Sequence, residues 1–158
     1  MTEADLKYIV DIFTNYMIIS ASSAWLLAQI IKVFTGMFKE RKFSIVTLLF
    51  SNGGMPSSHS AAVCAMATAA VALYGFNSFE CAISSLFAVI VMIDASGVRY
   101  ETGEQAKILN KITKELFSGK PTEINTGLKE LVGHTPFQVL VGALLGIAVG
   151  VALFFVMV

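Results

Sequence analysis

The chain has 158 residues, of which 56% are hydrophobic and only 14% charged, and its mean hydropathy is +0.74. A soluble domain carries about 25% charged residues, so the composition argues against a water-soluble protein and for a single domain embedded in lipid. Eleven basic and eleven acidic side chains cancel to a net charge of zero, which leaves no global basic field for nucleic acid.

Taken in chain order, the N-terminal MTEADLK is acidic and the first apolar run has no cleavage-like ending, so no signal peptide is expected. About 20 predominantly apolar residues cross a bilayer. Four segments reach that length, at 8–34, 58–76, 79–98 and 136–158. Little more than Asn77 and Ser78 separates the second from the third, which predicts an antiparallel hairpin. FSIVTLLF (43–50) is apolar but too short to span, and reads as a re-entrant or interfacial segment. In the loop 99–135, GEQAKILNKITKELFSGKP places Ile108, Leu109, Ile112, Leu116 and Phe117 on one helical face, apart from Lys107, Lys111 and Lys114, with Gly119 and Pro121 as stop signals. Such a helix rests either on an anionic leaflet or on the protein's own loops. The predicted fold is all-α: a polytopic membrane helical bundle of about four transmembrane helices, with the re-entrant or interfacial segment and a cytoplasmic amphipathic helix, in one domain over 1–158.

Orientation follows from the flanking basic residues. Lys39, Arg41 and Lys42 follow the first span, and Arg99, Lys107, Lys111, Lys114, Lys120 and Lys129 lie between the third and fourth. The other side offers Lys7 among Glu3, Asp5 and Asp11, and Glu80 in the hairpin. Both termini are therefore expected outside and both larger loops inside, as in a multi-pass protein of a bacterial plasma membrane. Cys64 and Cys81 lie in apolar stretches without ligand spacing, and read as buried free thiols. In the last span Gly142, Gly146 and Gly150 recur every four residues. This small-residue stripe permits close helix approach, within the bundle or across a homo-oligomer.

The unusual polar residues fall at one end of this topology. Asn15, Ser22 and Gln29 are seven apart and Lys32 follows three later, which predicts a polar stripe facing the bundle interior. Pro56, Ser57, Ser58 and His59 start the second span, Asp94 and Arg99 close the third, and His134 and Gln138 open the fourth. Both histidines of the chain thus arrive at one membrane face, each at a helix start. Helix starts present unpaired N–H groups and a positive dipole end, which together suit an anion. Gly53 and Gly54 allow close backbone approach. Two imidazoles, free amides, Lys32 and Arg99 fit a phosphate group, with one histidine attacking phosphorus and the other protonating the leaving oxygen. Histidines and serines at helix starts also serve as plain interfacial caps. Asp94 and Arg99 are five residues apart and so not on one helical face, which predicts a partner for Asp94 from another helix, Lys32 or a histidine; the alternatives are a structural ion pair or a cap near Ser96-Gly97. No HxxH or HxxxE spacing supports a metal site, and no GxSxG supports a serine hydrolase.

MPSSHSA resembles the PSGH motif of the type-2 phosphatidic acid phosphatase superfamily, which also contains the vanadium haloperoxidases, and GHTPFQVLVGALLG resembles the tail of its third motif, SRxxxxxHxxxD. GGMPSSHSA, DASGVR and LVGHTPFQVLVGALLG together look like the small divergent branch described as acid phosphatase/vanadium-dependent haloperoxidase-related. The resemblance covers most of the chain from about Lys32 onward. It implies a helical membrane protein with a phosphate pocket at one face and no metal or other cofactor. It further implies His59 as general acid, Ser57 and Ser58 as phosphate hydrogen-bond donors, His134 as nucleophile and Lys32 in the lysine role of the first motif, KxxxxxxRP. The sequence departs from the pattern at Lys39-Glu40, where Arg-Pro is expected, at Leu128, where the third-motif arginine is expected, and at Gln138, where the orienting aspartate is expected. Arg99 and Asp94 are the candidates to supply the missing guanidinium and carboxylate. The expected function is hydrolysis of a lipid phosphomonoester or pyrophosphate through a phosphohistidine. The alternatives are an inactive member that binds or translocates a phosphorylated lipid or anion, or a structural membrane protein built on the glycine stripe.

Overall fold

The computed structural model describes residues 2–40, 54–116, 128 and 133–157. Among them it is entirely helical, with α1 (Glu3–Thr14), α2 (Tyr16–Glu40), α3 (Ser58–Tyr74), α4 (Phe79–Ser96), α5 (Val98–Leu116) and α6 (Pro136–Met157). The all-α membrane bundle expected from the sequence is therefore found. The apolar stretch 43–50 and the stop signals Gly119 and Pro121 lie outside the described residues, as does Phe117. Among the described residues, three helical stretches are long and apolar enough to cross a membrane: Tyr16–Thr35, Phe79–Leu116 and Pro136–Met157. The helix α3 is apolar but has only 17 residues.

The first expected span, 8–34, is two helices rather than one. Asn15 takes an extended backbone conformation, and its Oδ1 accepts from the amides of Met17 (3.0 Å) and Ile18 (3.2 Å). Its short amide thus competes with the helix ladder and caps α2. Asn15 accordingly leaves the polar stripe predicted for α2, and Ser22 is exposed, while Gln29 and Lys32 are buried. The buried row instead runs through Tyr16, Ser20, Ala24, Ala28 and Lys32 at four-residue steps. Contact rows between crossing helices follow these inclined i+4 ridges, not the seven-residue repeat.

The central helix is α3, which touches α2, α4 and α6. Ser57 caps its start, and Gly75, with φ +81°, ends it. Its small side chains let the neighbours close in. Ala61 and Ala65 are fully buried against Ala24 and Ala28 of α2, flanked by Leu145 and Val149. On another side, Val63 and Cys64 pack on Ala88 of α4, with Val91, Met92 and Ala143 around them. The glycine stripe of α6 is covered by α3 of the same chain. A Cβ at Gly142 would overlap the Ser57 carbonyl oxygen, one at Gly146 the Ala61 carbonyl oxygen, and one at Gly150 would sit 2.9 Å from Thr68 Cβ. The buried Tyr16 hydroxyl donates to the Gly150 carbonyl at 2.7 Å and so ties the start of α2 to α6. Both cysteines are buried and free.

The amphipathic helix expected in 99–135 is α5. It begins one residue after α4 ends, because Gly97 (φ −105°, ψ −93°) breaks the helix without adding a loop. Gly103 and Ala106 are buried, whereas Ile108, Leu109, Ile112 and Leu116 are exposed. The Asn110 side chain bonds both the amide (2.8 Å) and the carbonyl (2.9 Å) of Leu128.

Candidate functional site

Three helix ends meet at one face of the bundle, and backbone contacts set their spacing. Ser57 Oγ accepts from the amide (3.4 Å) and hydroxyl (2.9 Å) of Ser60, which caps α3. The Ser57 amide donates to the Gln138 carbonyl at 3.2 Å, joining the start of α3 to that of α6. At that start the Thr135 amide donates to Gln138 Oε1 (3.0 Å) and the Gln138 amide to Thr135 Oγ1 (3.3 Å), a reciprocal capping box. The His134 amide donates to the Ala95 carbonyl at 3.0 Å, fixing the segment to the end of α4. Gly133 lies so close to the Arg99–Tyr100 backbone that any side chain there would overlap it.

This framework encloses a cleft of about 220 Å³, lined by His59, Ile90, Val91, Asp94, Ala95, Arg99 and His134. The two histidines, 75 positions apart in the chain, share one wall system: His59 from the first turn of α3, His134 from just before α6. His134 is only 3% exposed, and its Nε2 has no hydrogen-bond partner. Burial, followed by the neighbouring Lys32, His59 and Arg99, pushes its pKa from 6.5 down to about 4. The imidazole is therefore neutral near pH 7, with a lone pair available.

Arg99 Nε donates to Asp94 Oδ2 at 2.5 Å, and both side chains are about half exposed at the cleft. This corrects the expectation that Arg99 is out of reach of Asp94 and that Lys32 or a histidine is its partner. On a continuous helix, positions five apart diverge; the break at Gly97 redirects the chain and brings them together. Lys32 is buried beside Gly54, whose φ of +94° suits glycine and whose Cβ position lies 3.4 Å from Lys32 Cγ. Thr35 Oγ1 donates to the Met55 carbonyl (3.0 Å), holding that approach against α2.

Of the site residues expected from the sequence, the structure brings His59, Asp94, Arg99 and His134 to the cleft walls. Lys32 and Gly54 stand behind them and are not wall residues. Ser57 and Ser58 are buried in the α3 start, and the Gln138 side chain is engaged in capping α6 rather than at the imidazole. Sequence reasoning missed Ile90, Val91 and Ala95, and it missed the role of Gly133. A glycine directly before a histidine at a helix start was the available signal. Among the described residues no three His, Cys, Asp or Glu side chains gather in a way that could hold a metal ion.

Comparison with known proteins agrees with this architecture. No solved structure gives a significant match. The uncharacterized membrane protein YuiD of Bacillus subtilis (strain 168) is 42% identical over 149 residues, covering 87% of this chain and 92% of that relative. The model of the Divergent PAP2 family matches residues 13–149. With that match over most of its length and an apolar helical bundle to accompany it, the chain is a membrane protein of the Divergent PAP2 family.

Proposed function

We propose that this protein is a membrane phosphatase that hydrolyses a phosphomonoester or pyrophosphate carried by a lipid. The observation behind the proposal is the buried His134, with an unpartnered Nε2, on a cleft that His59, Arg99 and Asp94 also line. The neutral Nε2 attacks phosphorus as the bond to the leaving oxygen breaks, and His59, once protonated, gives that oxygen its proton. His59, now neutral, takes a proton from water, whose oxygen attacks the phosphohistidine. The N–P bond breaks, inorganic phosphate leaves and both imidazoles are restored. Arg99 compensates the charge on the transferring phosphoryl oxygens, and Asp94 orients the guanidinium. By the basic-residue bias, the cleft faces the cytoplasm across a bacterial plasma membrane.

The test is phosphate release by purified protein in detergent over a panel of lipid phosphates. His59→Ala and His134→Ala should each abolish turnover, and acid-labile phosphoprotein should accumulate only where His134 is intact. Equal turnover in the double variant would overturn the assignment. One observation favours a second reading, a non-catalytic binder of a phosphorylated lipid or anion. Gln138, which stands where the superfamily places its orienting aspartate, caps α6. That reading predicts thermal stabilisation by vanadate without turnover of any member of the panel.

A further inference from the structure

The break at Asn15 makes α1 a helix in its own right, and its apolar side is not covered by the bundle. Leu6, Val10 and Phe13 recur at i, i+4 and i+7 and are 51%, 49% and 76% exposed. Lys7, Asp11 and Thr14 form a separate exposed polar stripe at the same spacing. Among the described helices, α1 touches only α2.

The occupant of that apolar side follows from length, level and charge. The apolar stretch of α2, Tyr16–Thr35, has 20 residues, a rise of about 30 Å that already matches the hydrocarbon layer. One residue then separates its start from α1, so α1 begins at the membrane–water boundary. With 12 residues and charges within it, α1 cannot cross. The same end of the bundle carries exposed aromatic side chains at Tyr74, Phe76 and Phe79 in the α3–α4 turn, and at Phe155 near the end of α6. Phe13 of α1 lies three residues before Tyr16, whose ring contact with Phe154 fixes the level of this rim. Aromatic rims mark membrane interfaces. Finally, α1 carries Lys7 against Glu3, Asp5 and Asp11, so attraction to anionic lipid is absent and burial of apolar area supplies the affinity.

We propose that α1 lies in the plane of the interface on the side of the membrane opposite the cleft, with Leu6, Val10 and Phe13 in the outer acyl region of a zwitterionic leaflet. It acts as a stop that sets the depth of α2. The test uses the full chain in phosphatidylcholine vesicles and tryptophan quenching by brominated lipids. The single native tryptophan, Trp25 in mid-α2, should be quenched most by bromines deep in the acyl chains, which verifies insertion. In a Trp25→Phe background, Phe13→Trp should be quenched roughly twofold more by shallow bromines than by deep ones, as an interfacial helix buried about 5–10 Å requires. Lys7→Trp in that background should respond to aqueous acrylamide instead. Exchanging a fifth of the lipid for phosphatidylglycerol should leave the quenching unchanged. Stronger quenching of Phe13→Trp by deep bromines would mean that α1 continues into the bilayer. Quenching by acrylamide alone would place it in water. Disulfide-linked dimers specific to Phe13→Cys would assign the apolar side to a second copy. Each of these results overturns the proposal.

Discussion

Adding single methyl groups along the glycine stripe of α6 should produce a graded loss of stability, because each glycine meets α3 differently. At Gly146 the new Cβ would overlap the carbonyl oxygen of Ala61, and at Gly142 that of Ser57. Both are backbone atoms of a helix held on three sides, so neither can turn away. Non-bonded heavy atoms settle about 3.5 Å apart, so the two helices must part by about 1 Å. Overpacking of this kind costs about 1–3 kcal/mol, and the upper part of that range corresponds to a Tm lower by roughly 5–10 °C. At Gly150 the nearest atoms are Thr68 Cβ at 2.9 Å, Thr68 Cγ2 at 3.0 Å and the Ala65 carbonyl oxygen at 3.1 Å. The overlap there is smaller than at the other two positions, so the loss should be smaller. Gly142→Ala should in addition stretch the Ser57 amide to Gln138 carbonyl bond and so weaken vanadate binding at the cleft. Detergent-solubilised variants measured by thermal unfolding, with and without vanadate, give both readouts. Equal losses at the three positions, or the largest at Gly150, would refute the reasoning.

Three further outcomes are expected. Burial lowers the His134 pKa in the folded chain to about 4 from 6.5, so its contribution to stability is whole above about pH 6.5 and is lost as the pH falls towards 4. Tm should decline across that window, and less steeply in His134→Gln; identical slopes would contradict the shift. Tyr16→Phe removes the buried hydroxyl that donates to Gly150 and should cost about 1 kcal/mol, a drop of a few degrees in Tm. Asp94→Asn breaks a half-exposed ion pair worth less than about 1 kcal/mol, so Tm should move little while phosphate release falls; a collapse in Tm would show that the pair is a structural strut.

The bundle was legible in the sequence because lipid demands long apolar runs, and α4 and α6 begin and end within a few residues of where hydropathy puts them. Hydropathy does not register a single capping side chain. Asn15 sits inside a continuous apolar window, yet two hydrogen bonds to the amides that follow it divide the first span. The meeting of the two histidines could be inferred because span alternation brings both helix starts to one face. The Asp94–Arg99 pair could not, since the spacing rule assumes an unbroken helix and the backbone angles at Gly97 violate that assumption. The role of Gly133 was hidden for a related reason: a close approach between distant backbones leaves no periodic trace.

The brevity of α3 has a consequence for the bilayer itself. Seventeen residues rise about 26 Å, several ångströms less than a hydrocarbon layer of about 30 Å, while α6 runs for 22 residues beside it. With the aromatic rim holding the far end of the bundle at its boundary, as proposed above, the mismatch falls at the serine-rich start of α3, where a thinner leaflet would relieve it. Thinning lowers the headgroups towards His59 and brings water with them. The proposed hydrolysis would need both at that point, one as substrate carrier and the other as reactant. Lipid chain length thereby becomes a control variable for this protein: thicker bilayers should strain the cleft end before any other part of the fold.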